Sequence, residues 1–380
     1  MTLESVRTVR ATAAAVTAVI GAGAAAVAAG RFASDAALRI PPGGPLPTEP
    51  VLTVHATAAG QITLTRHLAA LRPGRHGLAG DGFHAVVGPV LSGTASPVDT
   101  VVRRLERVTY GTLEPGDRAW FTPAVHAGDP GTALGLDFTG LDVPGDLGPL
   151  PVWHVPGDRD TWVIAVHGLG TTREHTMNVM EFLHRHRFPV LAPAHRGDPG
   201  APSSPDRLHH LGETEWRDLD AVLRHAVDSG ARQVVLYGWS SGATMALRAA
   251  ARSDVRARVA GLVLDSPVLN WEATLRALAA AHRTPGALLP LAVRAAQGRT
   301  GLYGDRRPGA VHLDRIAVPT QIFHGPDDTV APWRFSRRLA AAHPNTITLH
   351  TVRGAPHAAM WNADPQAYEE TLRRFLTPLM

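Results

Sequence analysis

A serine hydroxyl becomes a useful nucleophile only when a base takes its proton, and that base must itself be held by a third group. Ser240 is the serine best placed for this. It lies in Gly238-Trp239-Ser240-Ser241-Gly242, after the apolar, β-branched run Val234–Tyr237 and before the helix-forming run Ala243–Ala250. So tight a strand-to-helix turn lifts the hydroxyl clear of the sheet. It needs minimal residues two before and two after, which Gly238 and Gly242 supply. It also leaves the Ser241 backbone N–H at a helix N-terminus, where negative charge is favoured. Five letters of this kind also occur in ordinary β–α turns, so the partners decide the reading.

The partners must come from the ends of later strands. Gln321-Ile322-Phe323-His324 runs into Gly325-Pro326-Asp327-Asp328-Thr329-Val330, which puts an acid at the carboxyl edge on the Ser240 side. Thr346–Val352 runs into Arg353-Gly354-Ala355-Pro356-His357, which puts a histidine at the same edge. Order and placement give Ser240, Asp328 and His357.

The elements that must carry these residues alternate strand and helix from about residue 131, the rhythm of a mostly parallel sheet flanked by helices. Strands are expected at 151–155, 161–166, 188–192, 234–237, 259–265, 319–324 and 346–352, with helices at 173–186, 213–229, 333–342 and 365–376. Thr161–Val166 is continuous and apolar, as a strand covered on both faces should be, and ends in His167-Gly168-Leu169-Gly170. Residues 271–310 interrupt the alternation with Ala/Leu-rich helices, a helical cap insertion expected over the carboxyl edge and shaping an acyl pocket.

Taken together, these motifs resemble the α/β-hydrolase superfamily over residues 131–380. The features are Gly238-Trp239-Ser240-Ser241-Gly242, His167-Gly168-Leu169-Gly170, the His324-Gly325-x-x-Asp328 loop and Gly354-x-x-His357. The resemblance implies Ser240 as nucleophile, His357 as general base and acid, and Asp328 as its orienter. It implies an oxyanion hole on the backbone N–H groups of Leu169 and Ser241, with a replaceable Leu169 side chain. The family's spacing after His-Gly selects Asp328 over the adjoining Asp327. Asp265, at a strand end where some relatives keep their acid, reads instead as a cap on the Ser266-Pro267 turn. His167 is expected to support the oxyanion loop. Trp239, Met360 and Trp361 are expected to pack.

The rest of the chain bounds the possibilities. Its 380 residues, 44% hydrophobic and 18% charged, make a globular protein, and with 0 cysteines there is no disulfide framework or thiolate site. The net charge of +4 is small, and the basic residues are scattered arginines, so no nucleic-acid surface is expected. No metal and no cofactor are expected. The pair His209 and Glu213 has helical spacing but no third ligand, and reads as a solvated helix start. Residues 1–30 carry Arg7 and Arg10 before the uncharged run Ala11–Ala29, read as a signal-anchor helix or a signal peptide cut near Ala26-Val27-Ala28. Either would place the catalytic domain outside the cytoplasm, the anchor by tethering it to the membrane. Residues 31–50 read as a Pro/Gly linker. Residues 51–130 read as a small β-rich accessory region with strands at 51–55, 61–65, 84–87, 101–109 and 118–121. Its histidines, His55, His67, His76 and His84, match no ligand spacing and read as surface or hydrogen-bonded side chains. The expected activity is hydrolysis of a small acyl substrate, an ester or thioester first and a peptide of the aminopeptidase type second. The other class of reading is a membrane-tethered binding module on a hydrolase scaffold.

Overall fold

The computed structural model describes residues 27–28, 30–32, 34–94, 97–300 and 317–380. Two sheets organise them. The first is built from β1 (Leu52–Ala58), β2 (Gln61–Thr65), β3 (His76–Gly80), β4 (Phe83–Val90), β5 (Thr100–Tyr110) and β6 (Arg118–Thr122). These close into an antiparallel barrel in the order β1-β2-β5-β4-β3-β6, with β6 pairing back onto β1. Alternation along the strands turns Leu52, Val54, Ile62 and Leu64 inward, and closure leaves no unpaired edge. β3 was not among the expected strands. Its sequence, His-Gly-Leu-Ala-Gly, has no β-branched residue, and it forms because β4 and β6 offer it a ladder on each side.

The second sheet has eight strands: β7 (Thr139–Gly145), β8 (Gly148–Val155), β9 (Thr161–Val166), β10 (Val190–Pro193), β11 (Gln233–Trp239), β12 (Val259–Asp265), β13 (Thr320–His324) and β14 (Ile347–Thr351). Their order is β14-β13-β12-β11-β9-β10-β8-β7. β9 to β14 run parallel, and β7 and β8 add an antiparallel edge. Alternate residues of β11 explain its continuous apolar run. Val234 and Leu236 pack towards helices Trp216–Asp228 and Ser241–Arg252, while Val235 and Tyr237 pack towards helices Met177–Arg185 and Pro365–Leu376. This is the α/β-hydrolase architecture with a β-rich barrel before it.

Several expectations change in detail. The helix expected from Glu213 begins at Trp216, and His209 and Glu213 are not a solvated helix start. Glu213 is largely buried and paired with Arg248, and His209 is largely buried beside Glu215, its Nδ1 3.3 Å from Oε1. The run Ala11–Ala29 read as an anchor lies almost wholly outside the described residues. Among the described residues no helix is long and apolar enough to cross a membrane. The stretch read as a linker is packed down: Ala37 and Leu38 join Leu169, Leu208 and Trp271 in one apolar cluster, and the Gly43 N–H donates to the Gly170 carbonyl at 3.1 Å. Residues 271–310 contain helices Trp271–Ala281 and Leu289–Thr300, and residues 301–310 lie outside the described residues.

The barrel is bolted to the large sheet next to His357. The buried Asn362 donates through Nδ2 to the Arg75 and Pro123 carbonyls, both at 2.9 Å, and its own carbonyl accepts from the Arg75 N–H at 2.8 Å. Asn178 repeats the device, with Oδ1 accepting from the Val125 N–H at 3.1 Å and Nδ2 donating to the Pro123 carbonyl at 2.8 Å.

Candidate active site

Ser240 follows β11 directly and precedes the helix Ser241–Arg252. Its φ of 54° and ψ of −118° put a non-glycine residue in a region that costs on the order of 1–3 kcal/mol. The surroundings hold it there. A Cβ on Gly238 would lie 2.4 Å from the backbone of Gly242, and one on Gly242 would lie 2.4 Å from the His167 and Val166 carbonyls. Strand and helix therefore approach more closely than any side chain allows, and the serine is driven out over the sheet edge.

Two later loops bring up the partners. His357 Nε2 lies 2.7 Å from Ser240 Oγ, and His357 Nδ1 lies 2.7 Å from Asp328 Oδ2. All three residues are buried. Asp328 Oδ1 accepts from the Val330 and Ala331 N–H groups, each at 2.8 Å. A second histidine, His324, reaches Asp328 Oδ2 at 2.9 Å and Ser336 Oγ at 2.7 Å. Burial pushes the Asp328 carboxyl up, but the charge of His357 and the hydrogen bonds from His324 and His357 outweigh it and hold the group well below the usual carboxylate range. Asp328 is thus a fixed acceptor, able to hold the His357 ring and stabilise a charge on it. Asp327 faces away and ties two loops together, accepting from the Gly354 N–H at 2.7 Å.

Asp265 has no hydrogen bond to His357. It accepts from Ser266 Oγ at 2.8 Å and from Tyr368 Oη at 3.2 Å, and Tyr368 shares a 2.5 Å contact with Tyr237. Burial pushes its carboxyl up to about 7. Trp239 stacks on Tyr237, and Met360 and Trp361 are buried in the same apolar cluster.

The loop after β9 differs from expectation. The Leu169 N–H donates to Ser241 Oγ, beside the nucleophile, at 3.0 Å. The Leu169 side chain is buried in the cluster with Leu38, Leu208 and Trp271, so it is a packing residue and not a freely replaceable one. His167 supports the loop through a residue the sequence did not single out: its Nε2 lies 2.8 Å from Asp198 Oδ2, which also accepts from the His195 N–H at 2.7 Å. Burial opposes ionisation of Asp198, but His167 and His195 hold it down at about 2. Asp198 sits just beyond β10, at the same carboxyl edge, and that position was the only clue to it. His167, His195 and Asp198 offer donor atoms close enough for one metal ion, although Asp198 Oδ2 is already committed to two N–H donors.

A cleft opens against His357. Its walls are the loop Leu169–Thr171, residues 356–359, the strap 44–49 and the barrel. None of the described residues of 271–300 lines it, and the barrel supplies one of its walls.

Relatives agree with this architecture. A family model described as "Alpha/beta hydrolase family" matches residues 163–371, and one described as "Domain of unknown function (DUF8805)" matches residues 53–122, the barrel. The uncharacterized protein YfhR of Escherichia coli K12 is 24% identical over 234 residues, 59% of this chain and 74% of YfhR. The Pyrococcus furiosus esterase Pf2001 superposes with a TM-score of 0.55 at 20% identity, covering 67% of this chain and 95% of its own. An alpha-beta hydrolase from Vibrio vulnificus gives a TM-score of 0.50 at 17% identity, covering 63% of this chain and 81% of its own. With the strand–serine–helix elbow, the later acid and histidine loops and a family model that spans more than half of its length, the chain belongs to the alpha/beta hydrolase family.

Proposed function

We propose that the protein is a serine hydrolase that opens carboxylic ester or thioester bonds through an acyl-enzyme on Ser240. The observation that carries the reading is the unbroken chain of hydrogen bonds from Ser240 Oγ through His357 to Asp328. In this mechanism His357 Nε2 takes the Ser240 proton as Oγ attacks the carbonyl carbon. The tetrahedral oxyanion is received by the backbone N–H groups of Leu169 and Ser241. The intermediate collapses, the alcohol or thiol leaves with the proton from His357, and the acyl group stays on Ser240. Water then attacks the acyl carbon, giving a proton to His357. Collapse releases the carboxylic acid and returns that proton to Ser240. The Pyrococcus neighbour bears the name esterase, in keeping with ester chemistry. An aminopeptidase-type peptidase would need a carboxylate for a substrate amine. Glu49 is the acid lining the cleft, and Arg72 already occupies it.

The same proposal keeps the run Ala11–Ala29 as a membrane anchor or cleaved signal, with the catalytic domain outside the cytoplasm. The test of the chemistry is intact mass after treatment with a fluorophosphonate, beside Ser240→Ala. One adduct on the parent and none on the variant is expected. A folded parent that takes no adduct and hydrolyses no acyl ester would overturn the reading in favour of a binding module.

A further inference from the structure

The wall of the cleft opposite His357 is not neutral. Arg72 lies in it with only 17% of its side chain exposed. One nitrogen, Nη1, donates to both oxygens of Glu49, at 2.7 and 2.9 Å. The other nitrogens, Nε and Nη2, have no hydrogen bond among the described residues, so a largely buried guanidinium keeps a fork of donors in reserve. Behind it stands Arg103, whose side chain is fully buried inside the barrel and has no acid partner among the described residues. It donates instead to the carbonyls of Gly88, Ala70, Arg72 and Gly74 at 2.7–3.1 Å. One buried guanidinium and one largely buried one against one carboxylate leave the barrel end of the cleft with an unbalanced positive charge. Burial pushes His76, in the same wall, down to about 3, and the charges of Arg103 and Arg72 add to the effect. A buried surplus of charge is costly unless a partner arrives, and a carboxylate matches the guanidinium fork in geometry and sign.

We propose that the barrel end of the cleft is an anion subsite, in which Arg72 receives a carboxylate carried by the ester substrate. The subsite rests on the serine-hydrolase reading for its place beside the reaction but not for its charge. The preferred substrates are then half-esters of dicarboxylic acids or esters of hydroxy acids, and the barrel is the part of the protein that selects them.

The full-length protein is assayed with two matched pairs: mono(4-nitrophenyl) glutarate against 4-nitrophenyl pentanoate, and 4-acetoxybenzoate against phenyl acetate. The first pair puts the carboxylate on the acyl side, the second on the leaving group. In at least one pair the anionic ester is favoured about tenfold or more in kcat/KM, mostly through KM, as a charge-assisted hydrogen bond gives. In Glu49→Gln/Arg72→Gln, which removes the ion pair without stranding either partner, the anionic-to-neutral ratio falls to near one. Arg72→Lys keeps part of the preference, and thermal melts establish that both variants fold. No anionic preference in either pair, or a preference that survives the double variant, overturns the proposal. Calorimetric titration of the Ser240→Ala protein with monomethyl glutarate separates this failure from failure of the hydrolase reading. Binding that weakens at least tenfold in the added double variant supports the subsite even if no ester is turned over. Absence of binding counts against it.

Discussion

The Leu169 amide and the Ser241 hydroxyl are hydrogen-bonded to each other across the site at 3.0 Å. A donor suited to a developing oxyanion is thus occupied at rest by the side chain next to the nucleophile. For Leu169 N–H to serve the transition state, Ser241 Oγ must give it up. Ser241→Ala is therefore expected to raise kcat, by up to about tenfold for one neutral hydrogen bond no longer competed for. It is also expected to lower stability by about 1 kcal/mol. Steady-state kinetics beside a denaturant melt checks both, and a fall in kcat would mean that the hydroxyl itself assists the reaction.

Ser240→Ala should abolish turnover, with a loss on the order of 10⁴-fold or more. Asp328→Asn should leave the fold intact but cost about 10⁴-fold in kcat, because an amide does not favour the His357 tautomer that accepts the Ser240 proton. Here the neutral side chain must also satisfy His324, whose Nε2 lies 2.9 Å from Asp328 Oδ2. A thermal melt alongside the rate measurement separates loss of orientation from loss of folding.

Asp198 is held at about 2 in the folded protein, below its usual value near 4. A depressed carboxyl contributes stability that is present above the unfolded value and is lost as pH falls through the folded one. Asp198 should therefore contribute about 2 kcal/mol at neutral pH, lost between about pH 4 and 2. Asp198→Asn should flatten that acid limb and lower kcat through the loosened His167 loop. Urea melts across pH 2–6 give the first result, and rates at pH 7 give the second.

Asp265 behaves in the opposite sense. Its carboxyl is raised to about 7, so the folded state holds a proton that the unfolded chain has released by about pH 4. Its share of stability is complete below about pH 4 and declines as pH rises to 7, with a slope approaching 1.4 kcal/mol per pH unit. Asp265→Asn should remove that decline. Melts at pH 5 and 8 on both proteins measure it, and equal slopes would refute it.

Asn362 joins the barrel to the helix Met360–Ala363, three residues past His357. Asn362→Leu should cost about 1–2 kcal/mol, since it takes the Nδ2 donor from the Arg75 carbonyl while the Pro123 carbonyl keeps Asn178. Because the barrel walls the cleft, KM should rise more than kcat falls. A variant whose kcat falls in proportion to the folded fraction with KM unchanged would show the barrel to be a structural appendage.

Much of this protein was legible in its residues because the signals involved are short in range. A buried parallel strand needs a continuous apolar run, and Val234–Tyr237 and Thr161–Val166 supply it. An elbow needs two minimal residues around a serine, and Gly238 and Gly242 supply those. The order of serine, acid and histidine followed from strand ends, the resemblance selected Asp328 over Asp327, and the structure brings Ser240, Asp328 and His357 within hydrogen-bonding distance. Two strands escaped. β3 lacks β-branched residues, and β7 carries Gly140, Pro144 and Gly145, a pattern a sheet tolerates only at its rim. Their neighbours, not their own propensities, make them strands.

The sequence by itself determined the α/β layering, the serine elbow and the edge at which the acid and histidine would gather. Only the tertiary structure decided that Asp198 grips His167, that Ser241 occupies the Leu169 amide and that the barrel walls the cleft with Arg72. Those relationships join residues 31, 72 and 285 positions apart, His167 to Asp198, Leu169 to Ser241 and Arg72 to His357. No periodicity records such separations. They follow from how finished elements pack, since the charge and hydrogen-bonding needs of a buried group can be met only by what the fold brings beside it.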